Sequence, residues 1–231
     1  MGSIGSNLQE VKQRIATACA TAGRSANSVT LLAVSKTFEA AAVRAAHDAG
    51  QREFGENYVQ EALAKIEALA GLRPRPVWHL IGPLQANKTR AVAEAFDWVH
   101  SVDRLKIAQR LSAQRPAALP PLNICLQINV SGEASKSGLV PAEPAELADV
   151  ARAVAALPRL RLRGLMSIPE PATHFEAQRA LHRVLAQALA ALNAQGLQLD
   201  TLSMGMSADL EAAVAEGATI VRVGTAIFGR R

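Results

Sequence analysis

The stretch "LSMGMSADLEAAVAEGATIVRVGTAIFG", residues 202–229, decides the fold. With Thr201 in front it opens on a strand, Thr201–Met204. A helix-like segment follows near 207–216, and the β-branched run Ile220–Val223 closes the unit. A helix between two strands is a crossover connection, and crossovers join parallel strands, not hairpins. Alternation along the last strand puts Ile220, Arg222 and Gly224 on one face and Val221 and Val223 on the other. The valines therefore face helices, and Arg222 faces whatever the sheet encloses.

The same alternation repeats toward the N-terminus. Strand-like runs are Val29–Ser35, Arg52–Gly55, Val77–Gly82, Trp98–Ser101, Leu122–Val130 and Leu160–Ser167. Helix-like stretches lie near 39–49, 57–69, 86–96, 103–114, 143–156 and 174–195. A further helix, about 7–22, precedes the first strand, with Leu8, Val11, Ile15, Ala18 and Ala22 at helical spacing. Eight strands alternating with helices predict an α/β chain, a single (β/α)8 TIM-type barrel with an extra N-terminal helix. An open doubly wound sheet is the rival, but no GxGxxG follows the first strand. Asp103 is placed to cap one helix, and Gly50, Gly71 and Gly196 stand where helices should stop. No linker or internal repeat interrupts the pattern, so residues 1–231 read as one domain.

Hydrophobic residues make up 49% of the chain and charged residues 19%, enough for a sizeable core. The net charge of +5 raises the question of nucleic acid. Yet the Lys and Arg residues are scattered among acids, the one basic run is Arg230-Arg231, and aromatics are 3%. A solvated surface is expected, with no nucleic-acid partner. Cys19 and Cys125 lack metal-ligand spacing and read as reduced core thiols, so no metal is expected. No signal core and no membrane-length apolar run is present, and a cytoplasmic location is expected.

In a barrel the functional groups sit at the C-terminal ends of the strands, and phosphate often binds after strands seven and eight. Here "MGMSADL" places Gly205 and Ser207 before a helix, with Ser207 as its expected N-cap. "VGTAIFG" places Gly224 and Thr225 directly after strand eight. Two glycine-hydroxyl turns on one rim form a phosphate cup. An inward Arg222 needs a partner, which is either a ligand or a carboxylate such as Glu56. In "LLAVSKTF", residues 31–38, Lys36 reaches the same rim from strand one, which neighbours strand eight once the barrel closes. Beside an arginine and partly desolvated, its amine is expected to favour the neutral form that attacks a carbonyl. A lysine snorkelling to solvent is the alternative. An amine, an arginine and a phosphate cup suit a ligand with an aldehyde and a phosphate. Pyridoxal 5′-phosphate (PLP) and a phosphosugar of aldolase type both qualify.

The segments "LLAVSKT", "FGENYVQE", "WHLIGPLQANK", "QINVSGEASKSG", "LRGLMSIP" and "LSMGMSADLEAAVAEGATIVRVGTAIFG" together resemble the pyridoxal phosphate homeostasis protein family. The resemblance runs from about residue 8 to 229. It implies a fold type III PLP-binding barrel, like the N-terminal domain of alanine racemase. It also implies a role in vitamin B6 homeostasis, with no established catalytic residue. By motif, Lys36 is similar to the family's Schiff-base lysine, and Ser207, Gly224 and Thr225 to its phosphate-binding groups. Arg222 is similar to the arginine that meets the pyridine nitrogen. Asn57, Met204 and His79 are the further cofactor-pocket positions, His79 with a satisfied core histidine as its alternative. The chain stops at "FGRR", without the family's usual short tyrosine-containing tail.

A cationic arginine cannot accept the ring nitrogen's proton, which disfavours carbanion chemistry. The one tyrosine, Tyr58, is not aimed at a substrate by anything in the sequence. The expectation is a monomeric protein that holds PLP on Lys36 for B6 homeostasis, with PLP-dependent apoenzymes as candidate recipients. A weak PLP-dependent amino-acid racemase or lyase is the alternative. Lys88, Lys106 and Lys136 read as solvated surface lysines.

Overall fold

The computed structural model describes residues 3–131, 137–141 and 143–229. Lys136 and Arg230-Arg231 lie outside the described residues. Helix α1 (Ile4–Thr21) leads into β1 (Thr30–Val34), α2 (Ala40–Asp48), β2 (Glu53–Glu56) and α3 (Val59–Ala68). Then come β3 (Val77–Leu80), α4 (Thr89–Ala95), β4 (Trp98–Val102), α5 (Leu105–Gln114) and β5 (Leu122–Gln127). The chain continues through α6 (Pro144–Ala155), β6 (Leu160–Met166), α7 (Phe175–Ala194) and β7 (Thr201–Ser203). It ends with α8 (Leu210–Ala215), β8 (Ile220–Val223) and a short α9 (Thr225–Phe228) that the sequence did not predict.

The strands pair in chain order, all parallel, and β1 pairs with β8 to close a barrel. In the closing pair Leu32 stands opposite Arg222 and Ala33 opposite Val223. That register brings the end of β1, and so Lys36, beside the end of β8.

Three helix starts differ from expectation, and only the first has a side-chain cap. Helix α1 begins at Ile4, where the Ser3 hydroxyl accepts from the Ser6 N–H at 3.2 Å. Helix α5 begins at Leu105 with Arg104 at the cap position, because the Asp103 carboxylate binds the Arg104 guanidinium at 2.8 Å instead. Helix α8 begins at Leu210 with Asp209, not Ser207, at the cap position.

Two cores follow from the strand alternation. Leu31, Ala33, Val221 and Val223 join the large apolar layer between the barrel and its helices. Leu32, Val34, Ile81 and Ile220 form a small apolar cluster of their own, on the inward face. Burying each such side chain contributes about 1.5–3 kcal/mol before conformational entropy is counted. Below that cluster the interior is polar: His79, His100, Ser203 and Arg222 are all buried. Cys19 and Cys125 are buried and unpaired, and burial pushes the Cys125 thiol up to about 12.

Candidate functional site

Lys36 follows β1 at the rim, in a turn closed by Phe38 N–H donating to Ser35 O at 3.1 Å. Thr37 holds a left-handed φ of 70° there. The turn is tied down from α3. Lys65 Nζ donates to Ser35 O (2.7 Å), Glu56 Oε1 (2.8 Å) and Glu61 Oε1 (2.5 Å), and the Thr37 N–H donates to Glu61. The Ser35 hydroxyl donates to Glu56 Oε1 at 2.5 Å. Burial drives the Glu56 carboxyl above its ordinary value, against the pull of Lys65 and Ser35. Glu56 is thus the partner of Lys65, not of Arg222. Lys36 itself is exposed, and its ammonium has no partner among the described residues. The desolvation expected of it is therefore not present at this rim.

Arg222 points into the barrel and is buried. Its Nη1 donates to Ser203 O at 2.6 Å and Ser203 Oγ at 2.8 Å, and its Nη2 to Ser167 O at 2.7 Å. The partners are uncharged acceptors, where the sequence suggested a ligand or a carboxylate. Burial lowers this guanidinium to about 10, so it stays a cation at neutral pH. A guanidinium carries five N–H donors. The Nε–H has no acceptor among the described residues, so an acceptor group can still be met.

The turn after β7 is built around Gly205, whose φ is +88° and whose added Cβ would lie 2.5 Å from Ala213 Cβ. Arg222 N–H donates to Gly205 O at 2.9 Å, fastening this turn to β8. Asp209 folds back over it: Oδ1 accepts from the Met206 N–H at 2.6 Å, and Oδ2 meets His182 Nε2 at 3.0 Å. Burial pushes the Asp209 carboxyl up, but the His182 and Met206 bonds outweigh it and leave the carboxyl below its usual value. Ser207 sits half-buried in the turn, and its hydroxyl has no partner among the described residues. Gly224 follows β8 so close to β1 that an added Cβ would stand 3.1 Å from Val34 O. Thr225 comes next, exposed at the start of α9, where the first N–H groups have no intrahelical acceptor.

Across the rim, Asn57 follows β2 half-buried, and its Oδ1 is a buried oxygen with no partner. Ser167 follows β6 fully buried, with its hydroxyl likewise unpartnered. A buried polar atom without a partner is costly, so these two oxygens indicate an absent polar partner. A cavity of about 460 Å³ opens here, lined by Asn57, Ile81, Ser101, Gln127, Asn129 and Ile168.

The structure thus brings Lys36, Asn57, Ser207, Arg222, Gly224 and Thr225 to one end of the barrel. His79 is not on the rim. It lies inside the barrel, 1% exposed, bonded to Glu53 and His100 and stacked on Trp98 at 5.3 Å. Met204 is fully buried in the helix-facing layer, because Ser203 takes the inward position of β7. Sequence reasoning missed Glu61, Lys65 and Ser167. Glu61 and Lys65 were visible only as an i, i+4 charge pair on α3, and Ser167 only as a hydroxyl ending a strand. Among the described residues no helix is long and apolar enough to cross a membrane.

The residues present fit PLP: an amine for the aldehyde, an unmatched guanidinium N–H for a ring nitrogen, and hydroxyls with backbone N–H groups for the phosphate.

Comparison with known proteins gives a consistent pattern. Residues 6–231 match the family model described as alanine racemase, N-terminal domain. The pyridoxal phosphate homeostasis protein of Pseudomonas aeruginosa is 62% identical over 231 residues, covering 100% of this chain and 97% of its own length. The protein of the same name from Escherichia coli K12 is 55% identical over 232 residues, covering 100% of this chain and 98% of its own. PipY of Synechococcus elongatus PCC7942 with PLP bound matches with a TM-score of 0.83 at 40% identity, over 98% of this chain and 100% of PipY.

Proposed function

The chain belongs to the alanine racemase N-terminal-domain family, among its pyridoxal phosphate homeostasis proteins, and on that premise we propose that it holds PLP reversibly as a Schiff base on Lys36 and releases it to apoenzymes. The single observation that carries this reading is the β1–β8 closure. It pairs Leu32 with Arg222 and Ala33 with Val223, so Lys36 and Gly224-Thr225 follow neighbouring strand ends. PLP supplies a reactive aldehyde and a ring that can act as an electron sink.

Each residue has a defined task. The Lys36 amine adds to the aldehyde carbon and water leaves, so the link forms and breaks with one water molecule. Arg222 keeps its charge at neutral pH and offers its Nε–H, which holds a ring nitrogen as an acceptor and gives it no proton. Ser207, Gly224 and Thr225 offer hydroxyl and N–H donors to the phosphate. Asn57 Oδ1 and Ser167 Oγ offer polar partners to the ring's other substituents. Lys65, Glu56 and Glu61 hold the turn that presents Lys36.

Exposure of Lys36 supports carrying over catalysis. Water has access to the link, so it hydrolyses and the cofactor can leave. Arg222 leaves the ring a weak electron sink; racemases of this fold tolerate that, but they need a second base opposite the lysine. Tyr58, the one tyrosine, is 57% exposed and makes no hydrogen bond to another described side chain. The test is borohydride reduction of the protein mixed with PLP, followed by peptide mass mapping. A phosphopyridoxyl adduct on Lys36 is expected; an adduct only on other lysines would refute the assignment. Deuterium uptake at the α-carbon of any amino acid, lost in Lys36→Ala, would restore the catalytic alternative.

A further inference from the structure

Behind Arg222 the barrel interior contains a continuous line of hydrogen bonds that the PLP site itself does not use. Ser203 Oγ lies 2.8 Å from Arg222 Nη1 and 2.8 Å from His100 Nδ1. His100 Nε2 lies 2.8 Å from His79 Nδ1, and His79 Nε2 lies 2.6 Å from Glu53 Oε2. The five residues sit on β8, β7, β4, β3 and β2. Ser203 and His100 are completely buried. Glu53, the first residue of β2, keeps 29% of its side chain exposed, at the end opposite the rim.

Donor chemistry gives this line a direction. A guanidinium can only donate, so Ser203 Oγ accepts from Arg222. The serine hydrogen then goes to His100 Nδ1. Burial, His79 and Arg222 together hold His100 well below the usual histidine value, so its ring is neutral and has one N–H. With Nδ1 accepting, that N–H is on Nε2 and donates to His79 Nδ1. His79 in turn donates from Nε2 to the Glu53 carboxylate. The opposite direction fails at the serine: with Arg222 and His100 both donating to Ser203 Oγ, the serine hydrogen has no acceptor among the described residues.

Resting on the PLP reading and on Arg222 as the group that meets the ring nitrogen, we propose that this line is a positioning device for the cofactor. His100 and His79, both as Nε2–H tautomers, fix the guanidinium from behind, and the Glu53 carboxylate anchors the line at the far end of the barrel. A carboxylate placed directly on Arg222 would draw off the N–H groups that the ring nitrogen needs. The Glu53 carboxylate stands four hydrogen bonds away and Asp209 acts on Arg222 only through space, so no carboxylate takes the guanidinium's Nε–H among the described residues. His100 and His79 are positioning residues, since neither reaches the rim cavity.

Two measurements test this. Nitrogen-15 spectra of histidine-labelled protein without PLP report the tautomers directly. His79 and His100 are expected with the proton on Nε2; a proton on Nδ1 of either ring overturns the proposal. PLP titrations followed by the visible band then compare wild type with His100→Leu, His100→Gln and Glu53→Gln. His100→Leu is expected to weaken PLP about tenfold, as loss of one buried hydrogen bond behind Arg222 would. His100→Gln can accept from Ser203 and donate to His79, and it should recover most of that loss. Glu53→Gln, far from the rim, should shift the band and weaken binding several-fold. Unchanged affinity and band in both His100→Leu and Glu53→Gln overturns the proposal. Should His100→Leu not fold, the tautomers and Glu53→Gln decide. A wild type with no band at all removes the PLP reading, and that outcome is distinct because the tautomer spectrum is read without cofactor.

Discussion

Replacing Lys65 with methionine removes the ammonium that lies between Glu56 Oε1 at 2.8 Å and Glu61 Oε1 at 2.5 Å. The side chains of Glu56 and Lys65 are 0% and 5% exposed, so this pair is desolvated. Removing one partner of a buried pair costs about 3–5 kcal/mol, because the remaining charge is left unmatched. Glu61 is 30% exposed, so its share is at most about 1 kcal/mol. Methionine fills much of the lysine stem's volume, so a cavity adds little. The cost should depend on pH. Burial already raises the Glu56 carboxyl above 4.5, and losing Lys65 raises it further. A carboxyl raised in the folded state contributes stability below its unfolded value and loses it as pH climbs through the folded value. The Lys65→Met deficit is thus smallest at or below pH 4.5 and grows toward neutrality. Urea unfolding of the cofactor-free protein across that range measures it. Lys65→Met with Glu56→Gln should recover much of the loss at neutral pH, since no buried charge remains. An equal deficit at acid and neutral pH, or a double variant no better than the single, would refute the reasoning.

Gly205→Ala combines a φ of +88° with a Cβ 2.5 Å from Ala213. It should cost about 1–3 kcal/mol in urea unfolding, and should weaken PLP more than unphosphorylated pyridoxal in binding titrations. Asp209 is held below its ordinary 3.8, so its stabilising share is present above that pH and fades as pH falls through the folded value. Asp209→Asn should be less stable at neutral pH and should show a flatter acid dependence of the urea midpoint. Cys125, with its thiol raised to about 12, should stay unreactive toward a thiol reagent at neutral pH until the chain unfolds.

The barrel was legible because each strand and helix carries its own period. Ile220 and Arg222 against Val221 and Val223 already separate the inside of the barrel from the outside. The rim was legible for a related reason: its groups follow strand ends, and closure of eight parallel strands fixes which ends are neighbours. Partners inside the barrel were not legible. Ser203 meets His100 across 103 residues and Arg222 meets Ser167 across 55, and no local pattern encodes such pairings. His79 looked like a rim residue because its segment resembles a rim motif, but its position in β3 places it one layer deeper. Met204 followed the same motif logic, and strand alternation turned it outward. Helix α8 starts at Leu210, later than the Ser207 cap expected, with Asp209 folded back onto the Met206 N–H in the turn before it.

The central claim is that Lys36 holds PLP, and its most direct test is the visible absorption spectrum of wild type beside Lys36→Ala after adding PLP and dialysing. A yellow band retained by the wild type and absent from the variant is the predicted result. A band that survives in Lys36→Ala, or none in either protein, would contradict the account.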